Sequence, residues 1–124
     1  MITGVHGLIY TEDADGVRAF FRDVLGFDHV DTGDGWLIFA LPPAELGVHP
    51  SGPGVATGGV HELWLMCDDI EATVASLEDK GVEFAKRPYD AGFGVAAQFR
   101  IPGNGTLNVY QPRHATAVDP RSPG

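Results

Sequence analysis

Cysteine is almost missing from this chain, Cys67 being the only one. An internal disulfide is therefore excluded, and a reducing compartment fits. Cys67 itself reads as a small buried apolar residue closing a strand rather than as a nucleophile. Basic side chains are scarce too. Eight lysines and arginines stand against 17 aspartates and glutamates, a net charge of −9. Nucleic acid, whose binding rests on basic patches that release counterions, is not an expected partner. No run approaches the ~20 consecutive apolar residues of a membrane helix. No signal peptide precedes His6, so the chain is expected in the cytoplasm and off the membrane. Also lacking are a glycine-rich phosphate loop, a nucleophile elbow and a Ser-His-Asp order. Gly103-Asn104-Gly105 reads as a hairpin turn, and no nucleotide cofactor is expected.

What is present suits a soluble globular protein: 124 residues, 44% of them hydrophobic and 20% charged. A single domain of this length buries roughly two-thirds of its unfolded-chain surface. Its organising stretch is Gly58 to Phe84, GGVHELWLMCDDIEATVASLEDKGVEF. His61 to Cys67 is short, apolar and rich in β-formers. Asp68 and Asp69 stop it and offer a helix N-cap, with Glu71 completing a pattern like a capping box. Ile70, Val74 and Leu77 then mark one helical face, Lys80 suits the negative helix end, Gly81 takes a left-handed stop, and Val82 to Phe84 reads as a strand.

The stretch has an echo in Gly4 to Thr32. His6 to Tyr10 is the expected strand and Asp13 or Asp15 the cap. Val17, Phe20, Phe21, Val24 and Leu25 share a helical face before Gly26 stops it and Phe27 opens a strand. Gly26 and Gly81 are 55 residues apart, as in a duplicated unit. In the first half Phe27 to Thr32 and Trp36 to Leu41 flank a hairpin turn at Gly33-Asp34-Gly35, with a further strand from Ala44 to His49. In the second, a longer loop from Arg87 to Gly94 reads as a lid, and Val95 to Ile101 and Thr106 to Gln111 are strands. The reading is one α+β domain over residues 1–112, of two β-α-β-β-β halves at 1–50 and 60–112. Residues 51–59 form a turn-rich linker and 113–124 a mobile tail.

The doubled unit, the "VLGF" helix exit, the "CDDIEATVASLEDKGVEF" segment and the "IPGNGTLNVYQP" ending resemble the vicinal oxygen chelate superfamily, the glyoxalase, bleomycin-resistance and dioxygenase group. Within it the chain is similar to small glyoxalase-like proteins with a "YxPRH" ending, here Tyr110 to His114. The resemblance implies a curved mixed sheet with helices outside and a cleft inside, and a homodimer. If the apolar face of each strand packs on the helices, then Leu63, Leu65 and Cys67 turn outward and Glu62, Trp64 and Met66 inward. Likewise His6, Leu8 and Tyr10, then Glu45, Gly47 and His49, then Thr106, Asn108 and Tyr110 face the cleft.

The family's metal-ligand positions fall on His6, Glu45, Glu62 and Asn108, of which the first three can bind a metal. One imidazole and two carboxylates suit Fe²⁺, Mn²⁺, Ni²⁺ or Co²⁺, with Zn²⁺ also acceptable. The set departs from the glyoxalase I pattern, which has His where Glu62 stands and Glu where Asn108 stands. Two carboxylates about 4 Å apart repel by roughly 4 kcal/mol at an effective dielectric near 20. Glu45 and Glu62, if convergent, must therefore share a proton, hold a metal, pair with His6 or His49, or await a cation.

Tyr10, Trp36, His49, Trp64, Met66, Phe93, Asn108 and Tyr110 are the candidate substrate-binding residues around that floor. The leading reading is a metal-dependent lyase, isomerase or dioxygenase acting on a small substrate with vicinal oxygens. His6, Glu45 and Glu62 would hold the metal, and Glu45 or Glu62 would act as base. The alternative is a metal-free, drug-sequestering protein that traps a cationic, planar or aromatic ligand.

Overall fold

The computed structural model describes residues 6–45 and 62–118. In chain order its elements are α1 (Ala14–Ala19), a π-helical turn (Phe20–Val24), β1 (His29–Asp31), β2 (Leu37–Phe39), β3 (Trp64–Met66), α2 (Ile70–Asp79), β4 (Phe84–Asp90), β5 (Gly94–Ile101) and β6 (Gly105–Pro112). The strands form a two-stranded β1-β2 sheet and an open mixed sheet in the order β3-β6-β5-β4. β3 runs parallel to β6, and the other pairs are antiparallel. The protein is an α+β fold, as its sequence indicates. Among the described residues no helix is long and apolar enough to cross a membrane.

The second half forms as its sequence suggests, because each local signal is used. Asp69 caps α2 by accepting from the Ala72 N–H at 3.1 Å. Past the helix, the Gly81 N–H donates to Glu78 O (2.9 Å) and the Val82 N–H to Leu77 O (3.0 Å), with Gly81 at φ 86°. This double C-terminal cap requires the left-handed backbone that glycine supplies. It also spends the Val82 amide, so the strand starts at Phe84 and not at Val82. The expected lid over Arg87 to Gly94 is mostly strand: β4 runs on to Asp90, leaving only a turn at residues 91–93. Pro88, which has no N–H to give a ladder, lies where the β4–β5 register shifts, between Lys86 and Tyr89.

The first half keeps its helix signals and loses strands. Asp13 caps α1 through the Gly16 N–H (2.9 Å), and Gly26 takes φ 71°. The Leu25 N–H reaches back five residues to Phe20 O, widening the last turn. The hairpin forms at the expected turn, pairing His29 with Phe39. Residues 6–10 are exposed and make no strand, contrary to the expectation for His6 to Tyr10. A strand needs a paired neighbour, and the described sheet stops at β3. Of the expected strand from Ala44 to His49, Ala44 and Glu45 are not strand, and the rest lies outside the described residues.

One core joins the halves. Ile70, Val74 and Leu77 of α2 and Val17 and Phe21 of the first helical stretch cover Ala97, Phe99, Ile101, Leu107 and Val109 of the sheet. Phe99, fully buried, stacks on Phe20 at 6.0 Å between ring centroids and meets Phe84 edge-on. Lys80 Nζ donates to Val24 O (3.1 Å), and Gln111 Oε1 accepts from the Ile70 N–H (2.9 Å). These two bonds fasten helix ends to neighbouring elements. The helices occupy one face of the sheet. The other carries no helix among the described residues.

Candidate functional site: an aromatic wall on the open face of the sheet

Strand alternation places the site. In the β3–β6 pairing Trp64 lies opposite Asn108, Leu65 opposite Val109 and Met66 opposite Tyr110. Leu65, Cys67, Leu107 and Val109 belong to the helix-covered core. Trp64 and Tyr110 therefore turn to the open face, where their rings meet edge to face at 5.7 Å and 88°. On β5 the residue facing Tyr110 is Ala96, small and fully buried. Phe93, on the β4–β5 turn, closes the triangle at 5.5 Å from Trp64 and 5.3 Å from Tyr110, both edge-on. Such aromatic pairs add about 0.5–1.5 kcal/mol beyond the area they bury. Phe93 nevertheless stays 46% exposed.

Several polar groups around this wall have partners among the described residues. The Trp64 indole N–H donates to Glu62 Oε2 at 2.8 Å, so residues 62 and 64 share a face as alternation requires. Glu45 Oε2 accepts from the Ala117 backbone N–H at 2.6 Å. Burial, and secondarily the negative charge of Glu45, pushes the Tyr110 phenol above its usual 10.0. The Tyr110 hydroxyl lies 3.3 Å from His114 Nε2, while His114 Nδ1 lies 2.9 Å from Ala115 O. A carbonyl only accepts, so in the neutral ring Nδ1 carries the proton and Nε2 takes the Tyr110 O–H. Deeper on the sheet, Gln98 Nε2 donates to Asn108 Oδ1 at 3.1 Å.

The wall thus gathers Trp64, Phe93 and Tyr110 from the expected set, with Glu62 at one edge and Glu45 near Tyr110. Met66 and Asn108 share the face by alternation. Tyr10 is 91% exposed in the unpaired segment. Trp36, 61% exposed, is covered by the Arg18 guanidinium 4.4 Å above its ring. His49 and Gly47 lie outside the described residues. His6 is exposed, and among the described residues no three His, Cys, Asp or Glu side chains come together as a metal-holding group. His6, Glu45 and Glu62 form no such group among the described residues, where residues 6–10 have no strand partner and the two carboxylates accept from different N–H groups. Among the described residues, no set of side chains fits a resident divalent ion.

Residues 113–118, expected as mobile tail, are instead attached. Arg113 binds the β4–β5 turn, His114 meets Tyr110, Thr116 is buried and Ala117 meets Glu45. The Tyr110 to His114 motif was the available signal for this: a basic residue just after Pro112, facing an acidic turn at Asp90-Ala91-Gly92.

Solved structures share this architecture. An antibiotic-binding protein from Streptomyces sp. CB03234 matches with TM-score 0.64 and 26% identity, covering 90% of this chain and 97% of its own. A glyoxalase/bleomycin resistance protein from the same organism matches with TM-score 0.55 and 26% identity, covering 82% and 93%. A lactoylglutathione lyase from Agrobacterium tumefaciens, 17% identical, has the same fold with TM-score 0.62, covering 88% and 92%. No functionally curated protein sequence matches the chain significantly. The profile of the Glyoxalase/Bleomycin resistance protein/Dioxygenase superfamily matches residues 4–110, and the chain belongs to that superfamily.

Proposed function

We propose that the protein is a metal-free small-molecule binder that holds a planar, cationic aromatic ligand against Trp64, Phe93 and Tyr110. The observation that carries this reading is the three-ring wall with an exposed Phe93 edge and carboxylates, Glu62 and Glu45, close to two of its rings. Ring faces attract cations by about 0.5–2 kcal/mol. Flat ligands stacked on aromatic side chains gain about 1–3 kcal/mol. The antibiotic-binding neighbour supports the same class of activity for this chain.

The competing reading, a metal-dependent lyase, isomerase or dioxygenase, needs His6, Glu45 and Glu62 in one coordination sphere, with Glu45 or Glu62 released as base. That these three form no such group among the described residues disfavours it. A homodimer belongs to the proposal, supported by β3 as an open sheet edge and by the exposed Leu8, Tyr10 and Val30. Light scattering that returns a monomeric mass refutes that part.

The test of binding is titration with proflavine, a planar aromatic cation, against anthracene-2-carboxylate, a planar anion. Proflavine should bind and the anion should not. Trp64→Ala should weaken proflavine by about tenfold or more, the loss of one stacking ring. Equal binding of both probes, or of neither, overturns the reading. Near-stoichiometric metal in chelator-free protein, lost in His6→Ala, would restore the enzyme reading.

A further inference from the structure

Three rings meeting edge-on define a binding wall only if all three are held, and two of them are held by the sheet. Trp64 and Tyr110 stand on paired strands, whereas Phe93 stands on the three-residue turn between β4 and β5. Turns of this kind are mobile unless something outside them fixes them. Among the described residues, the hydrogen bonds that reach this turn from outside the β4–β5 pair all come from one residue. The Arg113 backbone N–H donates to Phe93 O at 2.9 Å. Its guanidinium donates to Asp90 Oδ1 at 2.6 Å and reaches Gly92 O at 3.4 Å. The same Asp90 oxygen accepts from the Gly92 N–H at 2.8 Å, and the Ala91 N–H closes the turn on Gly94 O at 2.9 Å. One carboxylate oxygen thus joins the turn's own backbone to a cation at the end of β6.

We propose that Arg113 is a positioning residue: through Asp90 and Gly92 it fixes the turn that carries Phe93, and so sets the third ring of the wall for the ligand. This rests on the ligand reading above. The Arg113 hydrogen bond, followed by that from Gly92, holds the Asp90 carboxyl below the usual carboxylate range, as expected where the ionised form is the one in use. The neighbouring Gly94 admits no side chain, because a Cβ there would collide with Gln111 O and press the Tyr110 ring. The turn therefore approaches β6 as backbone, and the long Arg113 side chain spans the remaining gap. Among the described residues the Arg113 guanidinium lies over none of the three rings. Its effect passes through the turn.

The experiment compares wild type, Arg113→Ala, Arg113→Lys, Asp90→Asn and the Arg113→Ala/Asp90→Asn double variant. Alanine keeps the backbone N–H to Phe93 O, so Arg113→Ala removes the guanidinium alone. Two readouts are taken: hydrogen exchange of the 90–95 segment without ligand, and proflavine affinity. Arg113→Ala and Asp90→Asn should each speed exchange in that segment alone. Each should weaken proflavine by about fivefold to tenfold, the cost of ordering one loose side chain on binding. The double variant should be no worse than either single one, because both break the same pair. Arg113→Lys, which keeps the charge, should recover most of the affinity.

Unchanged exchange in Arg113→Ala overturns the proposal. So does a double variant whose losses add, or an Arg113→Lys protein as weak as Arg113→Ala. If wild-type protein ignores proflavine, the ligand reading falls instead, and the exchange readout still decides whether Arg113 fixes the turn.

Discussion

In the second half, Asp69 caps α2, Gly81 ends it, and the strands that follow close a four-stranded sheet under its apolar stripe. In the first half, Asp13 caps α1 and Gly26 ends the helical stretch, yet among the described residues the strands that follow amount to a hairpin of two three-residue strands. The apolar surface divides the same way. Leu8, Ile9, Tyr10, Val30, Trp36 and Leu41 are exposed in the first half, against Leu63, Phe93 and Val118 in the described part of the second. Caps and stops act within a few residues, so both copies of the signal work. A sheet of more than a hairpin forms only when distant segments meet, and within the described residues only the second copy assembles one. The first half is held instead by docking, with Phe20 stacked on Phe99 and Lys80 on the Val24 carbonyl.

The largest test of this contrast is truncation in the two halves. Phe99→Ala, at a fully buried ring shared by both, should cost about 3–5 kcal/mol in denaturant unfolding and loosen both helices. Phe39→Ala, on the half-buried strand β2, should cost clearly less and leave α2 protected in hydrogen exchange. Equal losses would mean that the hairpin is as integral as the sheet.

Next comes the seam between the halves. Gly103 has φ 82°, and a Cβ there would run into the Thr11 hydroxyl and lie 3.1 Å from the Asp13 nitrogen. Gly103→Ala should cost about 1–3 kcal/mol through backbone strain and crowding. It should also free the N-terminus of α1, seen as faster exchange there. A smaller effect separates the caps. Asp69→Ala should lose about 1 kcal/mol, and Asp13→Ala, on a six-residue helix, about half of that. A larger loss at Asp13 would reverse the ranking of the halves.

The smallest effect concerns ionisation on the open face. Tyr110 is raised in the folded state above 10.0, so its contribution to stability is intact below pH 10 and is lost as pH rises through the folded value. Wild type should therefore lose more stability than Tyr110→Phe at alkaline pH, followed by thermal melts. Identical alkaline profiles would mean that Tyr110 is not buried against Glu45.

These contrasts also mark what the sequence made legible. Helix caps, glycine stops, the Gly33-Asp34-Gly35 hairpin and the alternation that turns Trp64 and Tyr110 away from Leu65 and Val109 are short-range patterns, and they were readable. The strand at His6 to Tyr10 was not, because alternation shows which faces a strand would have and not whether a neighbour is present to pair. The convergence expected of His6, Glu45 and Glu62 rested on two strands, of which the described residues show none at 6–10 and only the first two positions of the other, Ala44 and Glu45. Arg113 and His114 sat beyond the last periodic segment and read as tail. Their partners, Asp90 and Tyr110, become visible only when β6 lies beside β5.

The bond from the Ala117 amide to Glu45 joins residues 72 positions apart. Exopeptidase trimming past Ala117 would release that carboxylate and alter the charge beside Tyr110 without touching the sheet. A fluorophore attached at Val118 would lie close to the same acidic group, where arrival of a cation should change its emission.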